Sequence, residues 1–292
     1  MSNQEWSSFD KWLKEHPYLN EIGSFHRVLS KAIEGFDKEQ FSKDLPVSDL
    51  EEIKQGYSKG VPLLSSLTEI NMVTGIAGSL FKKIVNALLE ADLPSKTLEQ
   101  VKALRGYIEK VPDLPRRLIR LVIKGSSDSK PEELESVFND VNEGFVNFLA
   151  WSSLSAILEP LREVTGELLE EKPWRKGYCP LCGHLPAMGQ LIRTKRGRER
   201  ELICGCCKMK WTYRRIGCPY CGNENVNTLK LIEFVEMPEM RLDTCEECKA
   251  YVKTYINQGN EQVALADWST LHLDLIGKNK GFQRVDEFFY EL

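Results

Sequence analysis

The 292 residues are enough for one large domain or two ordinary ones, and 42% hydrophobic with 28% charged side chains excludes a disordered chain. A net charge of −4 hides an asymmetry, because twelve Lys and Arg against two Glu between Lys172 and Arg215 give a local +10 and leave −14 elsewhere. The polar, acidic start does not read as a secretory signal, and the longest uncharged apolar stretches, Ile70–Phe81 and Gly144–Leu158, fall short of the roughly 20 residues of a membrane span. A cytosolic protein is expected, in which paired cysteines serve as metal ligands or redox thiols rather than structural disulfides.

Taken in chain order, residues 1–172 read as helices. Ser48 with Glu51, and Ser129 with Glu132, have capping-box spacing, in which each side chain satisfies the other's free backbone N–H. Apolar residues three and four apart then run through Ile76, Leu80, Ile84 and Leu88, and through Leu134, Val137, Phe138, Val141, Phe145 and Phe148. Long helices without strands between them predict an all-α bundle, with these side chains as its core. His16 and His26 stand apart from any Asp, Ser or Cys that would make a site, so nothing in this half reads as catalytic.

The helical pattern is expected to end near Glu171–Gly177, at Pro173 and Gly177. Six short β-compatible stretches follow: Leu185–Ile192, Arg200–Ile203, Lys210–Ile216, Thr228–Val235, Met240–Asp243 and Ala250–Ile256. A final helix is predicted over about Leu265–Ile276.

All nine cysteines lie between Cys179 and Cys248, and eight form C-x-x-C pairs. Such a turn sets two sulfurs on one side of a tight knuckle, and two knuckles complete the four-thiolate shell that zinc or iron accepts. The first and third knuckles read Cys-Pro-x-Cys-Gly, at Cys179–Gly183 and Cys218–Gly222; the second and fourth end in Cys-Lys, at Cys207-Lys208 and Cys248-Lys249. Gaps of 21 and 23 residues separate the knuckles within each half, and each half ends in a strand carrying Thr-Tyr. This repeat favours sequential sites: Cys179, Cys182, Cys204 and Cys207 for one ion, and Cys218, Cys221, Cys245 and Cys248 for the other. An interleaved arrangement stays open. So does a set of redox dithiols, although the thioredoxin motif needs a single C-x-x-C opening a helix after a strand. Glycine after the second cysteine lets the chain turn through positive φ and aim N–H groups at sulfur. Cys206 is read as a spectator, and His184 as no ligand.

The predicted architecture is therefore α+β: a helical domain (1–172), two small rubredoxin-like, zinc-ribbon-like modules (173–217 and 218–260), and a C-terminal helix and tail (261–292). The basic hairpin Arg193–Arg200 admits two readings, contact with nucleic-acid phosphates or docking of an acidic protein. Asp267 and Asp274, seven apart on one helix face, are expected to face solvent.

The whole arrangement resembles the formate dehydrogenase accessory protein family, FdhE. The resemblance rests on the alternating Cys-Pro-x-Cys-Gly and Cys-x-x-Cys knuckles, the strand Lys210-Trp211-Thr212-Tyr213-Arg214-Arg215-Ile216 leading into Cys218, and the tail Ala266-Asp267-Trp268-Ser269-Thr270-Leu271-His272-Leu273-Asp274. It implies a cytoplasmic, non-enzymatic assembly factor with two metal ions, iron or zinc, held by the eight paired cysteines. The implied client is the catalytic subunit of a respiratory formate dehydrogenase, matured before twin-arginine export. Under that reading nucleic acid becomes the second choice of partner, and no membrane span is expected.

Overall fold

The computed structural model describes residues 3–36, 50–67, 70–124, 132–195, 197–257, 259 and 261–285. Both predicted capping boxes lie outside the described residues, since Ser48 and Ser129 do. The chain forms two compact units, Met1–Val47 with Leu67–Pro160 and Phe289–Glu291, and Ser48–Ser66 with Leu161–Phe288 and Leu292.

The first unit is built from helices around Ile70–Leu89, whose Leu80, Phe81, Ile84, Val85 and Leu88 are fully buried. Helices Asn20–Glu34, Ser95–Lys110, Leu114–Lys124 and Glu143–Ile157 pack on it. Gly78 allows one of these approaches, because a Cβ there would stand 3.2 Å from the Arg116 backbone nitrogen. The central helix is longer than the apolar stretch read from the sequence: 20 residues at mean hydropathy 1.3 meet the length and composition of a membrane span. Half of that window is buried inside the unit, as a core helix requires. The second apolar series is not one helix. It breaks into Glu132–Asp140 and Glu143–Ile157, because Asn142 accepts a hydrogen bond from the Phe145 N–H (2.9 Å) and starts a new helix.

The second unit centres on one antiparallel-rich sheet with strands β1 (Pro186–Thr194), β2 (Gly197–Cys204), β3 (Lys210–Tyr213), β4 (Leu229–Glu233), β5 (Met240–Cys245) and β6 (Tyr251–Tyr255). All six predicted strands are present. The order β3-β2-β1-β6-β5-β4 joins the two repeats edge to edge through the parallel pair β1 and β6. The two modules are thus halves of a single sheet. Cross-ties strengthen the join: the Tyr220 hydroxyl donates to the Pro186 carbonyl (2.9 Å), and Arg200 on β2 pairs with Asp243 on β5 (3.2 Å). Gly177 must be glycine, because a Cβ there would collide with the Pro219 carbonyl oxygen.

The predicted terminal helix appears in two pieces, a 3-10 turn at Asp267–Thr270 and an α-helix at Leu271–Asn279. Its acidic face meets the sheet instead of solvent. Lys253 on β6, 1% exposed at its side chain, lies 2.7 Å from both Asp267 and Asp274, and Arg284 closes the network at 2.9 and 3.4 Å. The Tyr251 hydroxyl donates to Asp274 as well (2.7 Å). A buried lysine tolerates its desolvation only with such partners, which is why both carboxylates turn inward. The two cations hold the Asp267 carboxyl well below the usual carboxylate range although its burial pushes the other way.

Candidate metal centres

The four knuckles share one backbone device. The first cysteine's N–H donates to the carbonyl five residues on: Cys179 to His184 (2.8 Å), Cys204 to Met209 (3.0 Å), Cys218 to Asn223 (2.8 Å) and Cys245 to Ala250 (2.9 Å). Closing so tight a ring needs positive φ after the second cysteine. Gly183 and Gly222 supply it at +82° and +76°, and Lys208 and Lys249 adopt it at +62° and +57° in spite of their side chains.

β2 and β5 each end on a cysteine, Cys204 and Cys245, so each hairpin carries its second knuckle back to its first. The sulfurs gather in the sequential grouping. Cys179, Cys182, Cys204 and Cys207 form one set, Cys218, Cys221, Cys245 and Cys248 the other, all sulfurs of a set within 4.8 Å of one another. Closest separations are 3.4 Å (Cys179–Cys207) and 3.5 Å (Cys182–Cys204) in the first, 3.6 Å (Cys218–Cys248) and 3.8 Å (Cys221–Cys245) in the second. A tetrahedral thiolate shell with metal–sulfur bonds of about 2.3 Å has edges of about 3.8 Å, so either set could hold an ion.

Electrostatics show what four neutral-to-anionic sulfurs demand. Burial pushes the Cys179 and Cys182 thiols well up, while Cys204, itself opposed by burial, is drawn well down by hydrogen bonds from Cys179, Cys182, Cys206 and Cys207. The second set repeats the pattern. Burial raises Cys218 and Cys248; Cys245 is lowered to about 7 because the Cys248 N–H and the Asn223 amide outweigh its burial. A cation is the group that lets all four ionise together. Several N–H groups point at sulfur, among them Cys182 to Cys179 and the Asn223 amide to Cys245, each at 3.5 Å, and the backbone of Tyr220 and Cys221 to Cys218.

The surroundings of the two sets differ. All four cysteines of the first are buried, whereas Cys221 is exposed and Cys248 half-buried in the second. A cover from far upstream seals the first: Leu63 and Leu64 donate their N–H groups to the Pro180 and Leu181 carbonyls (2.9 and 2.8 Å). Arg162 donates to the Cys207 carbonyl (3.1 Å), and Tyr57 packs on Trp174 at 4.9 Å between ring centres. None of these was read from the sequence as part of the site; the only signal was the apolar pair Leu63-Leu64 after Pro62. Cys206 is buried and lies outside both sets, and its thiol helps hold the Cys204 thiol down. His184 turns its Nδ1 to the Cys182 carbonyl (3.3 Å).

The basic hairpin is only partly a surface. Arg193, Lys195 and Arg198 are exposed, but Arg200 is 3% exposed and spends its guanidinium on the Gly217 carbonyl (2.9 Å) and Asp243. Arg200 therefore cannot contact phosphate as the hairpin reading supposed.

A relative from Aquifex aeolicus named an FdhE homolog is 26% identical over 277 residues, 93% of this chain and 86% of the relative. The chain resembles the FdhE family. An FdhE homolog from Stutzerimonas stutzeri is 31% identical over 171 residues, with the match spanning 56% of this chain and 50% of that protein. For a Shewanella baltica homolog the match spans 61% of either chain. The crystal structure of the FdhE protein from Pseudomonas aeruginosa shares the fold, with a TM-score of 0.61 and 17% identity over 96% of this chain and 92% of that one. No family model matches the chain.

Proposed function

We propose that this protein is a cytoplasmic accessory factor, and no enzyme, that binds the catalytic subunit of a formate dehydrogenase and assists its maturation. Cys179, Cys182, Cys204 and Cys207 hold one metal ion, and Cys218, Cys221, Cys245 and Cys248 a second, each iron or zinc. The observation that carries this reading is the pair of four-sulfur sets, spaced for tetrahedral thiolate ligation, in a chain that resembles FdhE proteins over 93% of its length. With four protein ligands an ion has no open position for substrate, so its part is to tie the knuckles together. An iron ion would add a one-electron change without loss of ligands.

Two measurements test the reading. Metal analysis should find two ions per chain, with either the visible thiolate-to-iron absorption or a colourless zinc protein. Tagged full-length protein should co-purify with the catalytic subunit from cells that express it. One ion or none sinks the ligand assignment, and a subunit that is never retained sinks the client. A nucleic-acid role would instead show binding that falls steeply with salt.

A further inference from the structure

One face of the sheet is covered by the C-terminal helices through Lys253, and the other is open at its β4 end. Register puts Leu229 and Leu231 on the same face as Cys245 and Asp243, their partners on β5. Together with the segment Arg215–Tyr220 they line a groove of about 500 Å³. Its rim is apolar and exposed, with Leu231 at 55%, Ile216 at 56% and Val226 at 62%. Among the residues lining it, Arg200, Arg215 and Arg241 stand against Asp243. Asp243 is already committed to Arg200 and Arg241, so Arg215 presents its charge to whatever enters, while Lys230, between Leu229 and Leu231 on β4, points to the opposite face along the same edge. β4 is also the last strand in the sheet order, and an edge strand offers backbone N–H and C=O groups to a further strand.

We infer that this groove binds an extended peptide segment with alternating apolar and acidic side chains, added along the free edge of β4. Apolar side chains would rest on Leu231, Ile216 and Val226, the alternate carboxylates would meet Lys230 on the other face of the edge, and Arg215 adds positive charge at the groove. The floor of the groove includes Cys218 and Cys245, so a bound segment would lie beside the more exposed cysteine set. The inference rests on the accessory-factor reading only for the protein from which such a segment comes.

The test uses the metal-loaded full chain and a fluorescein-labelled peptide of alternating Val and Glu, with a Val and Lys peptide as control. Anisotropy should show the Glu peptide bound, and the control weaker by about tenfold or more. Arg215→Glu with Lys230→Glu, and separately Leu231→Asp, should each weaken the Glu peptide by about tenfold. These side chains are exposed, so metal content and circular dichroism should stay unchanged. Amide exchange in β4 should slow when the peptide is bound. No binding by the wild type, equal binding of both peptides, unaffected variants, or displacement by a single-stranded oligonucleotide overturns the proposal. Co-purification separates it from the function above. Variants that still retain the catalytic subunit as well as wild type does refute the groove and leave the client, whereas peptide binding without any retained subunit refutes the client and leaves the groove.

Discussion

The two cysteine sets come from one repeated pattern and end in different environments. Knuckle geometry is the same in both, down to the closing hydrogen bond and the positive φ. The first is covered by Leu63, Leu64 and Arg162, bonded to the carbonyls of its knuckles, while the second is secured mainly from behind, by β6 and its Lys253 anchor. Local sequence fixes how four thiolates converge. Distant sequence decides whether water reaches them.

The largest effect should come from removing ligands in turn. Cys179→Ser is expected to cost more than about 4 kcal/mol and to open the second unit to protease, with one ion lost. Cys221→Ser should also lose one ion, with a smaller loss of stability confined to the third knuckle. Metal analysis with urea melts checks both, and equal destabilisation would break the contrast.

Next in size is the anchor behind the second set. Asp274→Asn leaves Lys253 short of a buried partner and should cost about 3–5 kcal/mol in urea melts. If the first set then loses its ion before the second, the anchor has been assigned to the wrong half. The same network sets a pH dependence through Asp267, whose carboxyl titrates below its unfolded value of about 3.9. Its contribution is complete above that value and is lost as pH falls through the lower folded one. The destabilisation by Asp267→Asn should accordingly be full at neutral pH and shrink below about pH 4. A penalty independent of pH would show that the carboxylate's charge is not what matters.

Chelator challenge sharpens the contrast directly: release from the second set should be about tenfold faster or more than from the first. Arg162→Ala removes one hydrogen bond from the cover, worth about 1 kcal/mol, and should narrow that gap. Cys206→Ser should have the smallest effect, with two ions retained and a stability change under about 1 kcal/mol. Loss of an ion in that variant would make Cys206 a ligand and overturn the assignment of Cys204 or its neighbours.

Much of this was legible in the sequence because it is local. Each knuckle is specified by a few consecutive residues, and six strands announce themselves by short β-compatible runs between turn residues. The grouping of sulfurs followed from the repeat. What escaped was non-local. Nothing near Leu63 says that its N–H meets Pro180, and nothing near Asp274 says that Lys253 lies buried opposite. Arg200 counted as surface charge because its partner, Asp243, is 43 residues away in the other repeat. The break at Asn142 was missed for the opposite reason: the apolar spacing runs straight through a cap that only its hydrogen bond reveals.

The cover and the anchor also stand at opposite ends of the chain. During synthesis the segment around Leu63 is already made when Cys207 leaves the ribosome, so the first set can be closed at once. Arg284 and the Gln283 N–H that bonds the Lys249 carbonyl arrive far later. For the time it takes to make that stretch, the second set waits with its knuckles formed and its back unsupported. It is the set whose completion depends on residues translated well after its own knuckles.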